Sequence, residues 1–156
     1  MSPRAASRLR TLGFDQAYDY AGGKEDWLAF GLPRDGALAD VPLAGDRVRD
    51  DVPTCGPGDS LDEVRRRVEQ SDLDTCLVLD GERVVLGQVG RGALRESSAA
   101  TAEEAMNEGP STVRPSEPLE ALRERMLAHE LTVVPVTTPE GRLVGVLRLD
   151  DIERAS

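Results

Sequence analysis

The sequence predicts an α+β protein made of two tandem copies of one small unit, preceded by a short segment of different character. Three observations carry this. Residues 54–95 slide onto 112–153 at one constant offset without a gap. Within each copy the apolar residues change period in the same order, from helical spacing to short β-branched runs. Aromatics make up only 3% of the 156 residues, so any core must be built from Leu, Val, Ile and Ala.

The N-terminal segment, 1–36, reads as helix, strand, turn, helix. Ser2 and Pro3 suit the start of a helix, Ala6, Leu9 and Leu12 form one stripe, and Gly13 can end it. Residues 16–20 (QAYDY) predict a strand, Gly22-Gly23 a turn, and 24–31 (KEDWLAFG) a helix burying Trp27, Leu28 and Phe30. The first copy spans 46–96. It opens with Thr54-x-x-Pro57, and Ser60 and Glu63 have capping-box spacing ahead of the stripe Leu61, Val64, Val68. Two strands follow, 75–79 (TCLVL) and 84–89 (VVLGQV), joined by the turn DGER, and a short helix GALRES closes the copy. Residues 97–109 connect the copies and turn helical around Ala102 to Met106.

The second copy spans 104–156 and repeats the plan. A short strand at Thr112-Val113 precedes a helix with Ser116 as its cap, Pro118 in the first turn, and Leu119, Leu122 and Met126 as the stripe. Strands at 131–136 (LTVVPV) and 143–147 (LVGVL) flank the turn TPEGR, and DDIERA forms the last helix. The offset pairs Leu61 with Leu119, Arg65 with Arg123, Arg67 with Arg125, and Gly87 with Gly145. A unit of this size cannot bury its apolar face alone, so the copies are expected to pack together.

Net charge is −10, and because 1–36 is balanced, the acid excess lies in 37–156. Such a surface repels phosphate backbones and argues against nucleic acid as a partner. No apolar run approaches the ~20 residues that span a bilayer. Cys55 and Cys76 form neither a metal spacing nor a disulfide framework, which suits a reducing cytoplasm. Cys76 reads as a small core residue, while Cys55, beside Gly56 and Pro57, is open to exposure but lacks an adjacent base. His129 reads as a helix C-terminal residue, and Arg65-Arg66-Arg67 as a solvated helix face.

The ordered features AMNEGPSTVRPSEPLEALRERMLAHELTVVPVTTPEGRLVGVLRLDDI resemble a CBS domain, and the first copy is a more degenerate version. The resemblance implies tandem CBS repeats, β-α-β-β-α each, forming a pseudo-twofold CBS pair with a cleft on each side. It implies a regulatory, non-catalytic module that dimerises through its CBS helices. The ligand it implies is adenosine-containing: AMP or another adenine nucleotide, adenosine, or S-adenosylmethionine. The ligand-binding residues it implies are Thr112, Val134, Pro135, Arg148 and Asp151. The family's Gly-x-x-Thr/Ser-x-x-Asp element falls on Gly145, Arg148 and Asp151, with Asp151 at the ribose hydroxyls and Arg148 replacing a hydroxyl residue. In the first copy the same positions are Gly87, Gly90 and Ala93, so that site has lost both polar groups.

Two roles stay open for Asp150 and Asp151: first-turn stabilisation of the last helix alone, or that together with ribose binding. A ligand-free dimerisation module is the alternative function. The stretch SPRAASRLRTLGFDQAYDYAGGKEDWLAFGLPRDG also resembles the C-terminal tail of a rhodanese domain, without the cysteine loop that would precede it. It implies a longer rhodanese–CBS protein whose start lies upstream of Met1.

Overall fold

The computed structural model describes residues 3–17, 22–36 and 39–154. Helix α1 (Pro3–Thr11) buries Ala6, but it ends before Leu12, which sits in the following turn and is 59% exposed. Helix α2 (Gly23–Ala29) buries Leu28. Phe30, expected in the same core, lies just past the helix end and is 71% exposed, a correction to that reading. The expected strand at 16–20 does not form at Gln16, which is in a turn, or at Ala17; its other residues lie outside the described residues, as does Ser2.

The first repeat contains β1 (Thr54–Cys55), α3 (Leu61–Glu69), β2 (Cys76–Leu79), β3 (Val85–Val89) and α4 (Arg91–Glu96). The connector forms α5 (Ala102–Ala105) and β4 (Asn107–Glu108). The second repeat follows with α6 (Leu119–Ala128), β5 (Val133–Thr137), β6 (Leu143–Arg148) and α7 (Leu149–Glu153). One sheet runs β1-β2-β3-β4, with β1 parallel to β2 and the other pairs antiparallel. The antiparallel pair β5-β6 is flanked by two single bridges, Val113 to Val136 (parallel) and Arg49 to Val146 (antiparallel). Val113 therefore pairs as expected, while Thr112 stays outside the ladder and is exposed.

The repeats meet about a pseudo-twofold axis. Val84 bridges Arg142, its own equivalent, with Val85 N–H donating to Gly141 (3.0 Å) and Leu143 N–H donating to Arg83 (2.9 Å). Beneath this contact Val52, Leu73, Leu77, Leu79, Leu143 and Val146 form one core shared by both repeats. Burying each such side chain is worth roughly 1.5–3 kcal/mol, so exposing this face would cost either repeat much of its stability.

The segments leading into the repeats are exchanged. A 3-10 helix, Ala44–Arg47, precedes the first repeat but packs on the second: Ala44 N–H donates to Glu117 (2.8 Å), and Leu119 N–H to Pro42 (2.9 Å). The connector precedes the second repeat but packs on the first, through Ala102 N–H to Asp59 (2.9 Å) and Leu61 N–H to Ala100 (3.1 Å). Ser116 is not the N-cap of the second repeat's helix, because the position equivalent to Ser60 is Pro118, two residues later. Pro118 flanks α6 in extended conformation, and the Pro42 carbonyl accepts from the first helical N–H. In the first repeat Ser60 caps as expected, its Oγ accepting from Glu63 N–H at 3.3 Å.

The matched glycines make room for this exchange. A Cβ on Gly145 would overlap the Arg49 carbonyl and Val48, and one on Gly87 would overlap Met106 and crowd the Asn107 carbonyl. Arg65 and Arg67 also differ from a solvated face. Besides pairing with Asp62 and Glu63 on their own helix, Arg65 donates to the carbonyls of Leu94 (2.6 Å) and Ser97 (2.9 Å), and Arg67 to the Thr54 carbonyl (3.0 Å) and the Asp59 carboxylate (2.8 Å). Their long stems carry the guanidinium groups beyond α3 to these acceptors. His129 ends α6 as expected, its N–H donating to Arg125 (3.1 Å).

Gly145→Ala is expected to lower the unfolding free energy by about 1–3 kcal/mol, because the crossing backbone must shift. Gly92→Ala, in open space on α4, should instead raise it by about 0.5–1 kcal/mol. Urea titration of both variants against wild type checks the pair.

Candidate ligand site

Strand β6 passes directly into α7, with Arg148 as the extended flanking residue and Asp150 and Asp151 in the first turn. No side-chain cap bond is made at Arg148, so the two carboxylates act on the helix through its dipole alone. Asp151 faces Arg49 at 3.5 Å and Arg154 at 3.7 Å, distances of ion pairing rather than good hydrogen bonds. Its Oδ2 is shut from solvent and has no hydrogen-bond partner among the described residues. A carboxylate oxygen in that condition is an acceptor awaiting a donor.

Arg49 occupies this place because its backbone is fixed to β6: its N–H donates to Val146 (2.9 Å) and its carbonyl accepts from Val146 (2.8 Å). Its guanidinium is then shared between carboxylates. Nε and Nη2 donate to Asp51 (2.9 and 2.5 Å), while Nη1 and Nη2 donate to Asp72 (3.0 and 3.1 Å). Arg148 Nη1 donates to the same Asp72 at 2.7 Å, and its Nη2 reaches Asp150 at 3.5 Å. The hydrogen bonds from Arg49 hold the Asp51 and Asp72 carboxyls below the ordinary carboxylate range, and Asp51 in turn drives the Arg49 value up.

Two cavities adjoin this cluster, and a third lies away from it. One of about 620 Å³ is lined by Asp46, Arg47, Val48, Arg49, Asp151 and Arg154. A second, about 410 Å³, lies between the repeats against Asp72, Asp74, Thr75, Gln88, Arg148 and Asp150. The third, about 240 Å³, lies on the opposite side against Gln88, Gly90, Asn107, Ser111, Leu131 and Val134. At the repeat offset its lining corresponds to the Asp72 and Arg148 side, Gly90 to Arg148, Leu131 to Leu73 and Val133 to Thr75, with Asn107 at the place of Arg49.

The structure thus joins Arg148 and Asp151 into one ionic cluster but separates the other expected residues. Val134 lines the opposite cleft, and the buried Pro135 and exposed Thr112 line none of these three cavities. Successive residues of a strand face opposite sides, so Val134 and Pro135 do not share a cleft. Arg49 and Asp72 are additions that the sequence reading did not make. Extending the same offset upstream pairs Ala44 with Ala102 and Arg49 with Asn107, and that is the signal that points to the exchanged segment.

Cys55 and Cys76 are both buried in the core of the first repeat. The Cys55 sulfur and burial push the Cys76 thiol up, as suits a packing residue. Among the described residues no cluster of His, Cys, Asp and Glu is arranged to hold a metal, and no helix is long and apolar enough to cross a membrane.

The CBS domain model matches residues 44–100 and 102–156, and each match begins at the exchanged helix that leads into a repeat. The chain belongs to the CBS domain family. A homoserine O-acetyltransferase from Methanohalobium evestigatum is 27% identical over 108 residues, 67% of this chain and 22% of the relative. The CBS pair therefore spans about a fifth of that relative's length. Among solved structures, the cytosolic domain of the Mg2+ channel MgtE in complex with ATP is 26% identical, with a TM-score of 0.67 over 77% of this chain and 52% of the other. The CBS domain pair of protein MJ0100, in complex with 5-methylthioadenosine and S-adenosyl-L-methionine, is 20% identical, with a TM-score of 0.67 over 74% of this chain and 95% of the other. The fold is a tandem, pseudo-symmetric CBS pair of mixed α+β content.

The Arg49 pairs stabilise the protein above the ordinary carboxylate value of about 4, and that contribution is lost as pH falls through the lower folded values. Wild type should therefore melt above Arg49→Gln by a small but steady margin from pH 7 to about 4, narrowing below, because both carboxylates are more than half exposed and the pairs are screened. Thermal melts at stepped pH check this, and a margin that widens in acid contradicts it.

Proposed function

We propose that this CBS pair is a regulatory, non-catalytic module that binds an adenosine-containing ligand beside Asp151, with ligand occupancy as its signal. The observation that carries the reading is the solvent-shielded Oδ2 of Asp151, which accepts no hydrogen bond among the described residues and faces Arg49 only at ion-pair distance, 3.5 Å. Two adjacent ribose hydroxyls are donors of the right kind for that carboxylate, and hydrogen bonds to a charged group contribute about 1.5–3 kcal/mol each. The ligands held by the MgtE and MJ0100 structures, ATP, 5-methylthioadenosine and S-adenosylmethionine, share this nucleoside.

Arg49 and Arg148 stand against Asp51, Asp72, Asp150 and Asp151, so the cluster is acidic. That balance favours adenosine, AMP or S-adenosylmethionine over the more highly charged ATP. Thr112, Val134 and Pro135 belong to this proposal only as residues of the surrounding fold. The domain limits 46–96 and 104–156, a homodimer formed through the repeat helices, a cytoplasmic location and a rhodanese-like origin for 1–36 belong to the same reading. The last of these rests on the order of helix, Gly-Gly and Trp-containing helix alone.

Adenosine and S-adenosylmethionine should each raise the melting temperature of wild type. Asp151→Ala should weaken their binding at least tenfold, about 1.4 kcal/mol, in calorimetric titration. Wild type that no adenosyl ligand stabilises would instead mark a ligand-free dimerisation module.

A further inference from the structure

We propose that Asp72 is a specificity-determining residue: its carboxylate is a tethered anion seated between Arg49 and Arg148, where the phosphate of a nucleotide would otherwise be held. The inference rests on the Asp151 reading for where the nucleoside lies, and it divides the candidate ligands by whether they carry phosphate.

Three N–H groups from two guanidinium ions converge on the two oxygens of this one carboxylate, at 2.7, 3.0 and 3.1 Å. That is the donor arrangement with which arginines hold a phosphate, since carboxylate and phosphate present similar forks of oxygen. The three residues come from different parts of the chain. Arg49 is on the exchanged segment, Asp72 follows α3 of the first repeat, and Arg148 ends β6 of the second. The same Arg49 guanidinium lies 3.5 Å from Asp151, so the anion seat adjoins the expected ribose seat.

Stability does not account for the arrangement, because the Asp72 side chain is 55% exposed and ion pairs of that kind contribute little. Nor is it a simple product of duplication. The equivalent of Asp72 is Glu130, which makes no ion pair among the described residues, and the equivalents of the two arginines are Asn107 and Gly90. An incoming phosphate must displace a carboxylate that is already in place at high effective concentration. A nucleoside, or an adenosyl ligand bearing a sulfonium, need not. The resting site therefore favours adenosine or S-adenosylmethionine over AMP.

The test compares wild type, Asp72→Asn and Asp62→Asn, the last removing the partner of Arg65 on α3 away from the cleft. Inorganic phosphate, AMP and adenosine are titrated separately at low ionic strength, with melting temperature and calorimetry as readouts. Asp72→Asn should gain stabilisation by phosphate, and its AMP-to-adenosine affinity ratio should rise at least tenfold. The double variant Asp72→Asn/Arg148→Gln should lose both gains. Asp72→Asn responding to phosphate no more than Asp62→Asn overturns the proposal. The phosphate arm needs no nucleoside, so phosphate gain without adenosine binding supports the seat while refuting the Asp151 reading.

Discussion

The reciprocal backbone hydrogen bonds between Arg49 and Val146 are the contact on which the rest of the molecule depends. They fix the segment leading into the first repeat onto the sheet of the second. The connector does the converse through Asn107 and Gln88, so each repeat is completed by chain belonging to the other. Gly145 and Gly87 permit the crossing because a side chain at either position would occupy the same space as the incoming backbone. The shared core under the twofold contact then ties the halves into one body. A polar cluster at the junction inherits its geometry from that crossing.

Duplication built two clefts, and substitution made them unequal. One carries Arg49, Arg148 and Asp151; the other carries Asn107, Gly90 and Ala93 at the same positions. The backbone of both is alike, so the difference in what each can bind is electrostatic. On the charged side Asp151 Oδ2 has no hydrogen-bond partner among the described residues and only Arg49 near it at 3.5 Å, and both arginines are paired with Asp72. The other side carries Asn107, Gly90 and Ala93, none of them charged, at those positions.

Much of the fold was legible in the sequence because period and repetition are local signals. Of the stripes, Leu61, Val64, Leu119, Leu122 and Met126 are buried as read and Val68 is partly buried, and Ser60 caps its helix. Positions at helix ends were less legible. Ser116 is an ordinary cap by type, yet the residue that flanks the helix is Pro118, two positions later. Phe30 looks like core by composition but falls past the end of its helix. Of the ionic cluster, Arg148 and Asp151 were named through the resemblance to the family's Gly-x-x-Thr/Ser-x-x-Asp element, while Arg49 and Asp72 were not. Neither sits in a motif, and only the crossing brings them within 3.1 Å of each other.

The account's central claim is that ligand recognition belongs to the side of the pair built by the exchanged segment and the start of α7. Amide chemical shifts followed by NMR during an adenosine titration test it most directly. The account predicts saturable shifts at Val48, Arg49, Arg148 and Asp151, with Asn107 and Ser111 unmoved. Shifts confined to Gly90, Asn107 and Ser111 would contradict it.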